Sequence, residues 1–492
     1  MAACDGTVEW SAELHAILEQ LEQPDKALSP CGSAVLSLLS RLFSLLRAPT
    51  APVHAQAAQL ASHLLRLADD KLNSFPYRDV PPCWRRLYTD ASLLGALARL
   101  GGGDHASDDE RRLAVHDCDM AIVVAGAPGP GREGHALELI RLAQAGLARS
   151  SQCEPPRAPQ REDLARPAKR ARLGSPAMRT CAPAPYIHRP LPVLPSLPSF
   201  LPSGPSEPFL VRAALATSDA VARWRSLSYL RRAAGPARVV PVEVGGDYTA
   251  EGWGQRMMGF GELLDALEGE ERPGDGERGE GKVRETLYLA QHALFRQFPT
   301  LRRDLPLPDI VYSSPSTDGG SDGAEYVPPG GDDGVVMNAW LGPGGTKSKA
   351  HTDPWWNCYV QVVGSKWIWV APPDCAPGMA AFGSSLSTGG QDDDPAGSSG
   401  FGGVDGADED ETDREEGGQA QHYMTNTSTL DVTPAAQLDA PSSSYYPPAF
   451  LSSVAPRAYQ AVLEPGDVLV LPPRWWHSLV ALERSFSVSM WF

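Results

Sequence analysis

The stretch AHTDPWWNCYVQVVGSK, residues 350–366, sets a His-x-Asp pair directly before a run with the composition of a buried β-strand. The residues NCYVQVV predict a strand, and the Gly-Ser pair after them predicts a tight turn into a second strand. A carboxylate beside two tryptophans and a buried strand is costly unless it binds a partner. His-x-Asp alone is weak evidence, because this spacing arises by chance in a chain of this length. The rest of the sequence must therefore decide.

A second segment supplies a third potential ligand. In EPGDVLVLPPRWWHSLV, residues 464–480, a Pro-Gly turn, an apolar strand and a Pro-Pro break bring His477 to the mouth of another strand. We expect His351 and Asp353 at the start of the NCYVQVV strand, two residues apart and so on one face. Two neutral imidazoles and one carboxylate leave adjacent coordination positions open, as non-haem Fe(II) requires. The alternative is that all three are hydrogen-bonded core residues.

Strand patterns dominate the sequence around these segments. Runs at 335–342, 357–364, 366–372, 459–473 and 484–492 predict an antiparallel sandwich or barrel, and 237–245 predicts a further strand. Residues 259–270 and 287–298 have helical patterns. The acidic, Gly/Ser-rich stretch at about 377–435 interrupts the β-region, and we expect it to form a disordered insert.

The first third of the chain has a helical period. Leu14, Ile17, Leu18 and Leu21 recur at i, i+3, i+4 and i+7, and similar runs follow at 34–46, 57–72, 82–100, 108–126 and 135–149. Residues 1–149 are therefore predicted to form an all-α domain, and the whole chain an α+β multidomain protein. We interpret the helical domain as a module for packing, partner docking or self-association. His116 and Asp119 are expected to be surface or capping residues.

Residues 150–206 are rich in proline and lose the apolar period, which predicts a linker whose end leads into the next domain. Arg166, Lys169, Arg170 and Arg172 form a basic cluster in it. This cluster favours recognition by a nuclear import receptor over a solvated charge run. We expect the protein to be nuclear, with cytoplasmic protein also present.

Composition excludes several classes of protein. The net charge is −17, but residues 391–420 carry eleven acids against one arginine, so the charge elsewhere is ordinary. Eight scattered cysteines form no C-x-x-C pair, which argues against a zinc module or a disulfide framework. The N-terminus lacks the features of a signal peptide, and no run of about 18 apolar residues occurs. We expect a soluble, intracellular protein without direct nucleic-acid or membrane binding.

Together the segments resemble the Jumonji-C domains of the 2-oxoglutarate-dependent oxygenases. The likeness runs through YIHRPLPVLPSLPSF (186–200), MNAWLGPGGTKSKAHTDPWWNCYVQVVGSKWIWV (337–370) and LEPGDVLVLPPRWWHSLVALERSFSVSMWF (463–492), and reaches VHDCDMAIVVAG (115–126) in the helical part. It covers most of the chain outside the linker and the insert. The resemblance implies a double-stranded β-helix, a cupin-like jelly roll with flanking helices, over 207–492. It also implies Fe(II), with 2-oxoglutarate and dioxygen as co-substrates.

The resemblance assigns roles to individual residues. Iron would be held by the catalytic residues His351, Asp353 and His477. The co-substrate would be held by Tyr288, Asn357 and Lys366, with Ser348 nearby. The protein substrate would contact Glu243, Tyr248, Gln291 and Trp340.

The chemistry of these residue types agrees with the assigned roles. The ammonium of Lys366, at the start of a strand, can pair with the distal carboxylate of 2-oxoglutarate, although an exposed lysine is the alternative. A carboxylate beside aromatic rings favours a cationic substrate side chain. Barrel packing is the alternative for Trp340.

Three functions remain open at this point. The first is hydroxylation of an arginyl side chain in a protein partner, and the second is demethylation of N-methyl-lysine on a histone through the same iron centre. The third is a non-enzymatic nuclear docking protein. Multidomain histone demethylases commonly carry zinc-bound reader modules, and the absence of clustered cysteines here favours the first function.

Overall fold

The computed structural model of the chain describes residues 12–22, 26–48, 51–76, 79–101, 103–152, 189–201, 207–245, 253–271, 285–313, 326–329, 334–382, 426–433 and 446–492. The basic cluster at 166–172, Tyr248 and the acidic tract at 391–420 lie outside these residues. In the described part of the chain, no helix is both long enough and apolar enough to cross a membrane.

The helical half, residues 12–152, has the all-α architecture that the apolar period predicts. The first two helices each bury one stripe, as Ala12–Leu21 does with Leu14, Ile17, Leu18 and Leu21. The fourth helix is buried on nearly every side and packs against the third and the fifth. In the described part of this half the α-helices are α1 (Ala12–Leu21), α2 (Ser33–Leu46), α3 (Ala51–Leu72), α4 (Pro82–Leu100), α5 (Asp108–Val123) and α6 (Arg132–Gln152).

The β-rich half, residues 189–492, contains fourteen strands among the described residues. They are β1 (Arg189–Pro190), β2 (Val193–Leu194), β3 (Phe209–Val211), β4 (Val239–Val244), β5 (Gly254–Gly259), β6 (Leu287–His292), β7 (Val336–Gly342), β8 (Lys347–His351), β9 (Asn357–Val363), β10 (Lys366–Ala371), β11 (Tyr459–Leu463), β12 (Val468–Leu471), β13 (Trp476–Ala481) and β14 (Ser485–Trp491). Short helices accompany them: α7 (Asp219–Arg223), α8 (Leu227–Ala234), α9 (Phe260–Glu271), α10 (Leu294–Gln297) and α11 (Pro299–Asp304).

The strands form two sheets with the layout of a jelly roll. One sheet has the order β1-β11-β10-β13-β8, and the other has the order β2-β3-β12-β9-β14-β7-β6-β4-β5. Side chains from both sheets, including Tyr359, Ile368, Leu469 and Leu479, form a common core between them. Helices α7–α11 contribute to a second core on the outside of the larger sheet. The predicted cupin-like fold with flanking helices is confirmed.

The expected helix at 287–298 is wrong, because its first half is strand β6. Four of the six residues of β6 are buried, and an apolar run of this kind fits a buried strand as well as a helix. Only Leu294–Gln297 form an α-helical turn, α10. Tyr288 and Gln291 consequently lie on a strand of the larger sheet, where they can face its interior.

The predicted turn between β9 and β10 is present and depends on Gly364. Its φ is +67°, and a Cβ at this position would lie 2.1 Å from the carbonyl oxygen of Arg484. Any other residue would therefore meet the backbone of the loop before β14. The turn places Lys366 at the first position of β10, as the sequence predicts.

The two halves are joined through polar contacts, one of them a buried ion pair. Asp119 of α5 is completely buried and pairs with Arg238, next to the start of β4, at 2.6 Å. Gln144 of α6 donates hydrogen bonds to the carbonyl oxygens of Ala234 and Pro236. The expectation that Asp119 is a surface or capping residue is wrong, because its partner lies 119 positions away and no local pattern indicates it. His116, by contrast, is exposed.

The predicted disordered insert is too wide at both ends. Ala381 and Ser428 pair as an isolated β-bridge, and Thr427 bridges to His351 at the end of β8. Leu430 and Val432 are buried in the core on the outer side of the smaller sheet. The described residues at the two ends of this stretch, 381–382 and 427–428, therefore lie together, close to His351.

We expect removal of residues 384–424, replaced by a short Gly-Ser connection, to leave the thermal midpoint equal to or above that of the intact chain. Residues 383–425 lie outside the described part of the chain, and if these 43 residues form the unpacked insert that the sequence predicts, shortening them to about five recovers about 2 kcal/mol of closure entropy. Circular dichroism and differential scanning calorimetry measure the outcome. A control deletion extended through 433 should lower the midpoint, because it removes Leu430 and Val432. A lower thermal midpoint after the shorter deletion would show that residues 384–424 pack against the rest of the protein.

Candidate functional site

Two histidines meet at the open end of the smaller sheet. His351 ends β8 and His477 lies on β13, where the two are direct cross-strand partners with ring centroids 4.2 Å apart. The Nδ1 of His351 lies 2.7 Å from the carbonyl oxygen of Lys349, and that of His477 lies 3.0 Å from the carbonyl oxygen of Trp475. Because a carbonyl oxygen only accepts, each Nδ1 donates its proton. Both Nε2 atoms are therefore left as lone-pair donors for a metal.

Asp353 completes the group, but not from the position that the sequence predicts. It lies in the turn after β8 rather than on the strand of Asn357, and β8 and β9 belong to different sheets. The carbonyl oxygen of Asp353 accepts a hydrogen bond from the backbone N–H of Arg474 at 2.7 Å, which ties this turn to the approach to β13. The period-two argument for a shared face was wrong, yet the turn brings the carboxylate to the histidines.

The ligand atoms are close enough to hold one ion. The Asp353 carboxylate oxygens lie 3.6 Å from Nε2 of His477 and 4.0 Å from Nε2 of His351, and all three ligand atoms lie within 4.8 Å of one another. Burial lowers the pKa of His477 to about 4, with the neighbouring His351 adding to the shift and Asp353 opposing it. His477 is therefore neutral near pH 7, the form that binds a metal. Two imidazoles and one carboxylate are the donor set of non-haem Fe(II) sites.

A cleft lies between the two sheets, and His351, Asp353 and His477 form part of its wall. Its volume, including the open entrance, is about 370 Å³. Tyr288 and Ser348 line it together with Asn357, so three of the four residues expected to hold a co-substrate face the same space. The pKa of Tyr288 is raised well above its ordinary value, chiefly by burial, with Tyr359 and Glu243 adding to the shift. Tyr288 therefore remains a neutral hydroxyl that can donate a hydrogen bond.

Lys366 lies behind the cleft wall and is 2% exposed. Its Nζ donates to the hydroxyl oxygens of Tyr359 at 3.1 Å and Tyr288 at 3.3 Å, and both phenols line the cleft. Among the described residues, Lys366 forms no ion pair, and burial lowers its pKa to about 7. A buried cation held by two phenols suits an anionic ligand, whose charge would offset the cost of burial. The alternative of an exposed surface lysine is excluded.

Two buried polar atoms in the cleft wall have no hydrogen-bond partner among the described residues. They are Oδ1 of Asn357 and Nε1 of Trp491, on residues that face each other across β9 and β14. Unsatisfied buried polar atoms are rare in folded proteins, and a bound polar molecule would satisfy these. They support the fit of a co-substrate such as 2-oxoglutarate between Lys366 and the metal ligands.

Sequence reasoning missed three residues of this wall that carry hydrogen-bonding groups. Tyr359, Ser489 and Trp491 line the cleft. Tyr359 lies two residues after Asn357 on β9, and Ser489 and Trp491 share one face of β14, so strand alternation could have identified them.

The residues expected to contact a substrate are only partly brought together. Gln291 and Trp340 line the cleft. The Trp340 indole donates a hydrogen bond to the Ser489 hydroxyl at 3.1 Å. Glu243 does not line the cleft but is the cross-strand partner, on β4, of Tyr288, which does, and burial raises the pKa of Glu243. Tyr248 lies outside the described residues.

Comparison with known proteins adds three similarities and one family match. Residues 203–492 match the model of the cupin-like domain family. Lysine-specific demethylase 8 from Danio rerio is 28% identical over 449 residues, which cover 90% of this chain and 88% of that protein. Lysine-specific demethylase 8 from Xenopus tropicalis is 27% identical over 478 residues, 89% of each chain. Jumonji C domain-containing protein 5 from Drosophila melanogaster is 31% identical over 287 residues, 58% of this chain and 54% of its own length.

Proposed function

The chain belongs to the cupin-like Jumonji-C oxygenases, and from this premise we propose that it hydroxylates an arginyl side chain of a protein substrate. As a member of the family it is a 2-oxoglutarate-dependent dioxygenase that uses Fe(II). When bound, the metal and co-substrate would supply the oxidation: 2-oxoglutarate loses a carboxyl group as CO2 and becomes succinate, which takes up one atom of dioxygen, and the other atom enters a substrate C–H bond. What remains to be argued is the contribution of this chain's own residues.

We assign iron binding to His351, Asp353 and His477. Their ligand atoms lie close together, with the Nε2 atom of each histidine near the Asp353 carboxylate. Their catalytic role is to hold the metal at the wall of the cleft. The backbone carbonyl oxygens that accept from each Nδ1 fix the ring orientations, as second-shell acceptors do at other metal sites.

We assign co-substrate binding to Lys366, Tyr288 and Asn357, with Ser348 completing the wall. The Lys366 ammonium would pair with the distal carboxylate, and the Tyr288 hydroxyl would donate to the same group. Because Lys366 and both phenols are buried, water is largely excluded from this end of the cleft, which strengthens the ion pair.

The substrate class follows from the hydrogen-bond acceptors beside the cleft. Gln291 and Trp340 line it, and Glu243 on β4 is the cross-strand partner of Tyr288, which also lines it. A guanidinium group has five N–H donors in one plane and can satisfy a carboxylate and an amide oxygen together. Dimethyl-lysine has one N–H and trimethyl-lysine has none, so either would leave at least one of these acceptors unpaired. This arrangement of acceptors carries the proposal.

Demethylation of a methyl-lysine is the second candidate. It is favoured by the similarity to two proteins that are named lysine-specific demethylase 8. The Trp340 ring beside the cleft could also receive a methylated ammonium through cation–π contact. A non-enzymatic docking protein is not supported, because three metal ligands converge beside a cleft with a buried lysine.

Mass spectrometry of peptide substrates distinguishes the two reactions. The protein would be incubated with Fe(II), 2-oxoglutarate and either arginine-containing or methyl-lysine peptides. We expect arginine peptides to gain one oxygen atom and methyl-lysine peptides to remain unchanged. Loss of a methylene from the methyl-lysine peptides, with no oxygen gain on arginine, would overturn the hydroxylase assignment in favour of demethylation. Succinate release in both reactions reports that the oxygenase centre itself is intact.

The cationic substrate would belong to a protein partner, and a histone is one candidate. We also propose nuclear localisation, which rests on the basic cluster at 166–172 in the sequence. Docking or self-association through the helical half stays a prediction.

A further inference from the structure

The carboxylate of Asp119 in α5 accepts hydrogen bonds from three residues of the β-rich half. Its Oδ1 accepts from Arg238 Nη2 at 2.6 Å and from Gln297 Nε2 at 2.7 Å, and its Oδ2 accepts from the backbone N–H of Val239 at 3.0 Å. Arg238 also donates to the carbonyl oxygen of Gln297 at 2.8 Å and stacks on the ring of Phe298. Because Asp119 is fully buried, this single side chain organises the start of β4 and the end of α10 together.

The hydrogen bonds of Gln297 continue from Asp119 towards the cleft. Its Nε2 donates to Asp119 and to the carbonyl oxygen of Val239, so its Oε1 is the atom that accepts from His292 Nε2 at 2.6 Å. Burial lowers the pKa of His292 to about 4, so the ring is neutral and uses its Nε2 proton for this bond. Gln297 is fully buried, and His292 is 8% exposed. The orientation of His292 is therefore set from the helical half.

His292 is the last residue of a β-bulge in β6, and this bulge contains Gln291, which lines the cleft. On β6, Leu289 pairs with Leu341 and His292 pairs with Ala339, so two residues of β6 stand opposite Trp340 alone. One of these two is Gln291, whose φ is +44°, a conformation that costs energy for any residue with a side chain. A bulge of this kind re-aims a side chain and persists where its surroundings hold it. Here it directs Gln291 to the cleft, beside Trp340.

We propose that Asp119 is a positioning residue for the substrate subsite: through Gln297 and His292, the helical half holds the β6 bulge that carries Gln291. The inference rests on the proposed function in that Gln291 is taken to contact the substrate. Asp119 itself lies in the other half of the chain and touches neither the cleft nor the metal ligands.

Hydrogen exchange and steady-state kinetics of two variants test this role. Asp119→Asn removes the charge that holds Arg238 and Gln297. Gln297→Met cuts the link to His292 but leaves the Asp119–Arg238 ion pair in place, so it remains informative if Asp119→Asn does not fold. The matched control is Asp117→Asn in the same helix, which breaks a pair with Arg99 inside the helical half.

We expect both test variants to increase amide exchange over 287–298 by about tenfold, with exchange over 357–371 unchanged. The KM for the protein substrate should rise by about tenfold while the KM for 2-oxoglutarate changes by less than about threefold. Asp117→Asn should leave both KM values and the exchange over 287–298 unchanged.

Two results would overturn the positioning role. One is unchanged exchange over 287–298 in folded Gln297→Met. The other is an equal rise of both KM values, which indicates general loosening of the site. If the wild-type protein hydroxylates no arginyl peptide, the proposed function fails, but the exchange measurement still decides whether Asp119 and Gln297 hold the bulge.

Discussion

Replacing His351 with alanine should reduce succinate formation to background while the jelly roll stays folded. The change removes one of the three proposed iron ligands, and even loss of a residue that merely orients a metal ligand costs about 10- to 100-fold in metal affinity or activity. The fold should persist because His351 ends its strand and is only partly buried. The hydrogen bond that is lost, from its Nδ1, is a local one to a carbonyl oxygen two residues away. Coupled assay of succinate, Fe(II) binding by equilibrium dialysis and circular dichroism measure the three outcomes.

The matched control for this prediction is His116→Ala, which removes an exposed histidine of α5. It should leave succinate formation and iron binding unchanged. Iron-dependent turnover that persists in His351→Ala would refute the metal assignment. Loss of turnover with full iron binding would place His351 elsewhere in the reaction.

Replacing Lys366 with methionine should raise the KM for 2-oxoglutarate by at least about 30-fold, since removing one partner of a buried charge pair costs about 2–5 kcal/mol. Methionine fills a similar volume without a charge, so the free protein should be as stable as the wild type or more stable. Lys347→Met is the control, because Lys347 pairs with Asp431 and does not line the cleft. A KM that stays within about twofold of wild type would remove Lys366 from the co-substrate site.

The charge state of Lys366 also predicts how the binding of 2-oxoglutarate depends on pH. In the free protein, burial lowers its pKa from 10.5 to about 7, so the amine is mostly neutral at pH 8. Pairing with a carboxylate stabilises the ammonium and raises the pKa in the complex. Binding of 2-oxoglutarate at pH 8 should therefore take up close to one proton, and affinity should fall as the pH rises above 7. Calorimetric titration of the Mn(II)-loaded protein in two buffers measures the uptake, and Lys366→Met should show none.

The candidate ligand set could be predicted from sequence because each of its residues lies beside a strong local pattern. His351 and Asp353 precede a buried strand, and His477 follows an apolar strand with a Pro-Pro break. Lys366 follows a Gly-Ser turn whose chemistry is local as well. Such signals survive without knowledge of the tertiary structure.

The errors occurred where non-local contacts decide the structure. The run at 287–298 fits a strand and a helix equally, and only its pairing with β4 and β7 makes the first half a strand. Asp119 looks like any polar residue on a helix, because Arg238 and Gln297 are more than a hundred positions away. The bulge at Gln291 depends on the same contacts. Long-range hydrogen bonds of this kind leave no periodic signal in a single sequence.

The separation of the two histidines along the chain has a consequence for the lifetime of the protein. His351 and His477 meet only when β8 pairs with β13, so an unfolded chain offers ferrous ion no assembled site. Iron at 100 times its dissociation constant would then add about 2.7 kcal/mol to the free energy of unfolding. Chains made when iron is scarce would unfold more often and be degraded sooner, so that abundance follows iron supply before any regulation of synthesis.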